Sequence, residues 1–180
     1  MLEKGTFFFA VLGLMSGAQL ASFRAHANSG VGDILRDADG NIRRMSQYAA
    51  DLACHEQGSR LPTARELAIY SQGLGARGIR ETNYPGVVTT DALVTAEIEQ
   101  MQAGGYIPIV VENAHGQWVV DFYFNLAGYQ RPAGDLGNDL FWTSSGRTDV
   151  TDLAYYLTGA DSDFIYTYRG YDGGAVRCIR

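Results

Sequence analysis

The chain has 180 residues, 46% of them hydrophobic, which suits one globular domain with a single sizeable core and not a disordered segment. Its formal charge of −6 argues against a nucleic-acid backbone or an anionic membrane as partner. Eleven tyrosines and 22 glycines fit either loop-rich β structure that binds through aromatic surface or an aromatic core with many turns.

Lys4 supplies a positive charge, Thr6 to Ala21 are mostly apolar, and Ala25-His26-Ala27 is a small-x-small site. Residues 1–27 therefore read as a secretory signal peptide cut after Ala27, with an uncleaved anchor or a buried terminal helix as alternatives. The expected location is secreted, periplasmic or the outer cell surface, with no membrane span in the mature chain. No cysteine follows the apolar run, so no lipid anchor is indicated. Residues 28–40 read as a linker, a first strand, or a short oligomerisation stub that would serve a homotrimer. Asp37-Ala38-Asp39-Gly40-Asn41 has part of the spelling of an EF-hand loop. Aligning Gly40 with that loop's invariant glycine leaves Leu35 at the first ligand position and no glutamate at the last, so it reads as a plain turn.

From Asn41 the pattern predicts a helix, capped by Asn41 and ended by Gly58, with Ile42, Met45, Tyr48, Ala49 and Leu52 on its buried stripe. Pro62 holds Leu61 extended, and Thr63-Ala-Arg-Glu66 is a capping box opening a second helix over about 64–71, with Leu67 and Tyr70 facing the core. Gly73-Leu-Gly75-Ala-Arg-Gly78 matches the spelling of a dinucleotide fingerprint. It follows a helix instead of a strand, so it reads as a loop. A third helix is predicted over about 91–102, with Leu93, Ile98 and Met101 near one face. A hairpin of 106–111 with 117–126 comes next, then a long loop at 128–138. The remainder reads as a meander of strands at 140–145, 153–158, 164–169 and 175–180. If every link is a hairpin, Arg147, Asp149 and Asp152 come near Tyr171 and Asp172. Helices first and strands afterwards give an α+β domain, two to three helices packed on a twisted antiparallel sheet with long loops.

Chemistry is harder to find. His26 falls in the expected signal peptide, His55 and His115 are far apart, and no paired metal-ligand spacing occurs, so no metal or cofactor is expected. His55-Glu56 begins like a zincin motif, but Ser59 stands where the second histidine would be. No G-x-S-x-G elbow or P-loop is present. Asp161 and Asp163 could form an acid–base pair, yet solvated turn residues are the commoner reading. Cys54 and Cys178 could be free thiols, a redox pair or a structural bridge. Their separation excludes C-x-x-C chemistry, and predicted export favours the bridge.

Three segments in order, Cys54…Gly58-Ser-Arg60-Leu-Pro-Thr63…Glu66-Leu67, Phe141-Trp-Thr-Ser-Ser145 and Val176-Arg-Cys178-Ile-Arg180, resemble the Lcl C-terminal domain family of bacterial surface proteins. The resemblance covers about 41–180 and is patchy between Gln72 and Leu140, where the chain carries a long insertion at about 72–139. That family is similar to the C-type lectin-like superfold, which includes formylglycine-generating enzymes and the variable proteins of diversity-generating retroelements. The resemblance implies a C-type lectin-like fold, a Cys54–Cys178 disulfide from the first helix to the last strand, and a binding site on surface loops. The chain has no spare cysteine pair to hold copper, which speaks against formylglycine chemistry. It lacks the E-P-N or Q-P-D loop of calcium-dependent sugar binders; Gly137-Asn138-Asp139 carries only part of their W-N-D strand.

The primary expectation is an exported, non-enzymatic binding module, a bacterial surface adhesin or receptor that recognises a glycan or protein. Its candidate ligand-binding residues are Arg147, Asp149, Tyr166, Tyr168, Tyr171 and Asp172. Aromatic rings stack on sugars or fill protein pockets, and charged groups supply orientation. Tyr166 and Tyr168 share a strand face, so they are both buried or both exposed. Trp142, in an apolar strand, belongs with the core. The alternatives are a homo-oligomeric fibre-tip or assembly protein and, less favoured, a secreted hydrolase.

Overall fold

Strand pairing in the second half of the chain sets the frame. The computed structural model describes residues 30–129, 136–146, 152–159 and 164–180. The expected signal peptide lies outside them. β6 (Leu140–Gly146), β7 (Leu153–Thr158) and β8 (Phe164–Tyr168) pair antiparallel, as successive hairpin strands do. β9 (Gly174–Ala175) then joins the far side of β6 in parallel, and β2 (Arg44–Met45) closes the sheet in the order β2-β9-β6-β7-β8. The meander expectation therefore fails at its last link. A parallel neighbour cannot be reached by a hairpin, so residues 169–173 cross from the β8 edge to the opposite side. The Arg169 carbonyl accepts from Gln47 N–H and the Gly173 carbonyl from Arg44 along this crossing.

The fold is α+β, with three helices and mostly antiparallel sheets among the described residues. β1 (Val31–Ile34) pairs with β10 (Arg177–Ile179), so the segment expected as a linker, stub or first strand takes the strand form. The Asp37–Asn41 turn is built by the Asp37 carboxylate, which accepts from the backbone N–H groups of Asp39 and Asn41. These hydrogen bonds hold its pKa below the ordinary carboxylate range, Asn41 contributing most.

The first helix, α1, spans Gln47–His55 with Ser46 as its N-cap, and does not begin at Asn41. Residues 41–45 are extended instead: Ile42 bridges to Arg36 and β2 pairs with β9. The buried stripe is also not the one the hydrophobic pattern predicts. Ala50, Ala53 and Cys54 are buried, whereas Tyr48 and Leu52 are exposed. Trp142 explains the reversal, because its bulk fills the space beneath α1 and leaves room only for small residues. Its indole N–H donates to Met45 C=O at 2.7 Å, and a Cβ on Gly174 would stand 2.1 Å from the same nitrogen.

The second helix, α2 (Ala64–Gly73), opens with the predicted capping box and buries Leu67 and Tyr70. Here the three motif segments of the sequence become one contact unit. Cys54 and Cys178 form a disulfide with Cα atoms 5.5 Å apart, and Arg60 exchanges two backbone hydrogen bonds with Ile179. Pro62 C=O accepts from Ser144 N–H, and Ala64 N–H donates to the Ser145 hydroxyl.

The central sheet is covered on both faces. Phe141, Tyr155, Leu157 and Phe164 meet α2 and a second sheet; Trp142, Ala154 and Val176 meet α1. That second sheet, order β3-β5-β4, comprises β3 (Gly78–Arg80), β4 (Ile107–Glu112) and β5 (Trp118–Asn125), as the hairpin reading predicts for its last two strands. Its inner residues Ile109, Phe122 and Phe124 join the main core. The third helix, α3 (Ala92–Ala103, N-cap Asp91), covers the outer face over Val120 and Tyr123. Val94 and Glu97 point inward, while Leu93, expected on the buried face, is exposed.

Candidate functional site

Where β4 approaches β7 and β8, the two sheets leave an apolar cleft of about 400 Å³. Val88, Pro108, Trp118, Tyr155, Phe164 and Tyr166 are among its walls. Period-2 alternation puts Tyr155 and Tyr166 directly opposite each other on one face of the β7–β8 pair. Their rings meet edge to face, 6.1 Å between centroids. The Tyr155 hydroxyl spans the gap, donating to Val110 C=O at 3.0 Å and accepting from Val110 N–H at 3.3 Å. The floor is therefore fixed to both sheets, while Tyr166, 47% exposed, forms an open rim.

The remaining wall is the chain between β3 and α3. Val87 bridges to Val119 and Val88 N–H donates to Trp118 C=O at 2.8 Å, which carries Val88 and Thr89 into the cleft. Upstream, this stretch is pinned by Glu97, 5% exposed. One carboxylate oxygen accepts from Asn83 N–H at 2.9 Å and its side-chain amide at 2.8 Å. The other accepts from the hydroxyls of Thr82 at 2.6 Å and Tyr123 at 3.1 Å. Burial pushes the Glu97 pKa up, and these donors outweigh it, leaving the carboxyl below its ordinary value. Burial first, and then Glu97, push the Tyr123 phenol up to about 12. Glu97 thus stays ionised and holds the wall in place.

The sequence candidates divide between two faces. Tyr166 and Tyr168 are both exposed and both on the face of Tyr155 and Phe164. Tyr168 ends β8, with its ring against Gly170 at the start of the crossing. Tyr171 and Asp172 are exposed on that crossing. Tyr171 lies beside Tyr156, whose phenol is raised by burial and then by this neighbour, and Tyr156 packs on Trp142 across the sheet from Tyr155. Tyr171 and Asp172 are therefore not part of the Tyr166 cleft. Arg147, Asp149, Asp161 and Asp163 fall outside the described residues. Trp142 is core, as its apolar strand predicts.

Sequence reasoning missed Trp118, Pro108 and Val88 as cleft walls. Trp118 and Pro108 sit in a hairpin whose pattern indicates strands but not which edge stays open, and Val88 lies in a loop. Elsewhere, His55 is exposed and 3.5 Å from Asp51, and His115 occupies the β4–β5 turn. Among the described residues no group of three or more His, Cys, Asp or Glu side chains is placed to hold a metal ion, and no helix is long and apolar enough to cross a membrane. No protein-family model, curated protein or solved structure matches the chain.

Proposed function

We propose that this protein is an exported, non-enzymatic binding module of C-type lectin-like architecture, a bacterial surface adhesin or receptor that recognises a glycan or protein. The observation that carries this reading is the cleft between the two sheets. Its volume of about 400 Å³ and its walls of Trp118, Tyr155, Phe164 and Tyr166 suit a sugar ring or an apolar side chain. The Cys54–Cys178 bridge supports an oxidising compartment, hence export. Tyr166 and Tyr168 then form the contact surface, and Tyr171 with Asp172 serves as a separate test of the opposite face.

Binding of the purified exported chain to glycan and surface-protein arrays tests the reading. Tyr166→Ala and Trp118→Ala are expected to abolish the signal with little change in thermal stability for Tyr166, while Tyr171→Ala and Asp172→Ala leave it intact. Loss of binding in the Tyr171 and Asp172 variants, with Tyr166→Ala unaffected, would move the site away from the cleft.

A further inference from the structure

The glycine run between α2 and β3 serves a purpose that dinucleotide binding does not supply. Gly75 and Gly78 both have positive φ, 97° and 75°, and a Cβ on Gly78 would stand 2.6 Å from the Gln72 side chain. Arg77 N–H is fixed to Ala127 C=O at 2.8 Å. The chain is thereby bent so that Arg77 and Arg80 enter one groove of about 480 Å³, lined also by Gln100, Met101, Gly104 and Tyr106. Arg80 lies over the Tyr106 ring, 4.9 Å from its centroid.

These arginines differ from most others described. Arg60 pairs with Glu66, Arg65 with Glu81 and Asp121, and Arg44 with Asp139. Neither the Arg77 nor the Arg80 guanidinium makes a hydrogen bond or ion pair with a described residue, and no carboxylate lines their groove. Stacking on Tyr106 occupies the face of the Arg80 fork and leaves its N–H edge for a ligand. One feature opposes an anion, the C-terminus of α3 at Gly104, equivalent to roughly half a negative charge. Its carbonyls are already met by the N–H groups of Gly104, Gly105 and Tyr106, and two full positive charges outweigh the remainder.

We infer that this groove is a carboxylate-binding subsite, in which one ligand carboxylate bridges the Arg77 and Arg80 guanidiniums. A carboxylate has two oxygens and about four lone-pair sites, enough to accept from both forks. A single anionic group also fits a chain of net charge −6 better than an extended polyanion, which the overall field repels. The subsite is distinct from the aromatic cleft: Arg80 and the cleft residue Pro108 both pair with Tyr123, on opposite sides of β5, with α3 covering Tyr123 between them.

Titration with sodium acetate, followed through the arginine Nε–H resonances and matched against sodium chloride at equal ionic strength, tests this without knowing the natural ligand. Arg77 and Arg80 are expected to shift along a saturating curve with acetate, and exposed Arg43 to stay unmoved. Arg80→Gln should raise the half-saturating acetate concentration about tenfold, the effect of losing a charge-assisted hydrogen bond, and Arg80→Lys should recover only part of it. Arg77→Gln gives an independent second variant from the loop before β3. The inference is overturned if Arg43 shifts in parallel, if chloride reproduces the effect, or if phosphate saturates these resonances and acetate does not.

Discussion

Each half of the domain is organised by a glutamate that gathers donors, and the two differ in a way that separates scaffold from site. On the side of the Cys54–Cys178 disulfide, Glu66 takes two guanidinium contacts from Arg60, at 2.8 and 2.6 Å, and the Thr63 N–H at 2.8 Å. Its partners lie within six residues, the charge is partly solvated, and a disulfide backs the whole unit. On the cleft side, Glu97 is buried, its donors are neutral, and they come from two remote segments, 82–83 and Tyr123. The first arrangement is local and stapled. The second is long-range, and it fixes the wall of the aromatic cleft with no covalent support. The covalent support thus lies where the motifs lie, and the candidate site sits where the chain is held by hydrogen bonds and apolar packing.

The strongest way to break this contrast is to remove the staple. Cys54→Ser with Cys178→Ser frees a loop spanning a sequence separation of 124 residues. Chain-entropy arguments give a loss of at most about 5 kcal/mol for a loop of that size, and removal of a native bridge typically costs about 2–5 kcal/mol. Urea unfolding should show this loss, and the folded fraction should still bind through the cleft. A variant that folds as stably as the parent would show that α1 and β10 are held by packing alone.

Truncating the two glutamates sharpens the comparison. Glu97→Ala leaves the Asn83 amide groups and the Tyr123 hydroxyl without their acceptor in a buried site, for an expected cost of about 3 kcal/mol. Because Glu97 positions Val88 and Thr89, the same change should weaken cleft binding. Glu66→Ala loses a cap and a half-exposed ion pair, worth about 2 kcal/mol after allowance for solvent screening. It should leave cleft affinity unchanged. The hydrogen bonds from Arg60, foremost, bring the Glu66 pKa down to about 2 from an unfolded value of 4.5. Its stabilisation is therefore complete above pH 4.5 and lost as pH falls toward 2. Acid unfolding of Glu66→Ala should accordingly show a shallower decline across that window than the parent. Equal slopes would place the depressed titration elsewhere.

What the sequence reveals follows the same division. Thr63 and Glu66 can be read because a capping box is a local geometry three positions apart, and the β4–β5 hairpin because two apolar runs flank a short polar turn. Glu97 gives no such signal: an isolated glutamate in a helix reads as solvated, and its donors are distant in the chain. The path of residues 169–173 is equally silent, since a short polar link between strands looks like a hairpin until the pairing of β9 with β6 is known. Tyr166 is a legible candidate, but the sequence ties it to Tyr171 and Asp172 only through the hairpin assumption. The crossing puts those residues on the other side of the sheet.

The smallest expected effect tests α1, whose buried side is the reverse of the one the hydrophobic pattern predicts. Leu52 is 60% exposed on α1, so Leu52→Lys should change stability by no more than about 0.5 kcal/mol, as surface substitutions do. Ala50, with no exposed area, faces Trp142, and Ala50→Leu should cost about 1–3 kcal/mol by overpacking. An amphipathic helix read by size alone predicts the opposite order. The physical distinction is that a large neighbour can supply the buried volume itself, so the helix contributes close approach instead of bulk. If Leu52→Lys proves the costlier change, α1 packs through Tyr48 and Leu52, and the role assigned to Trp142 beneath it is wrong.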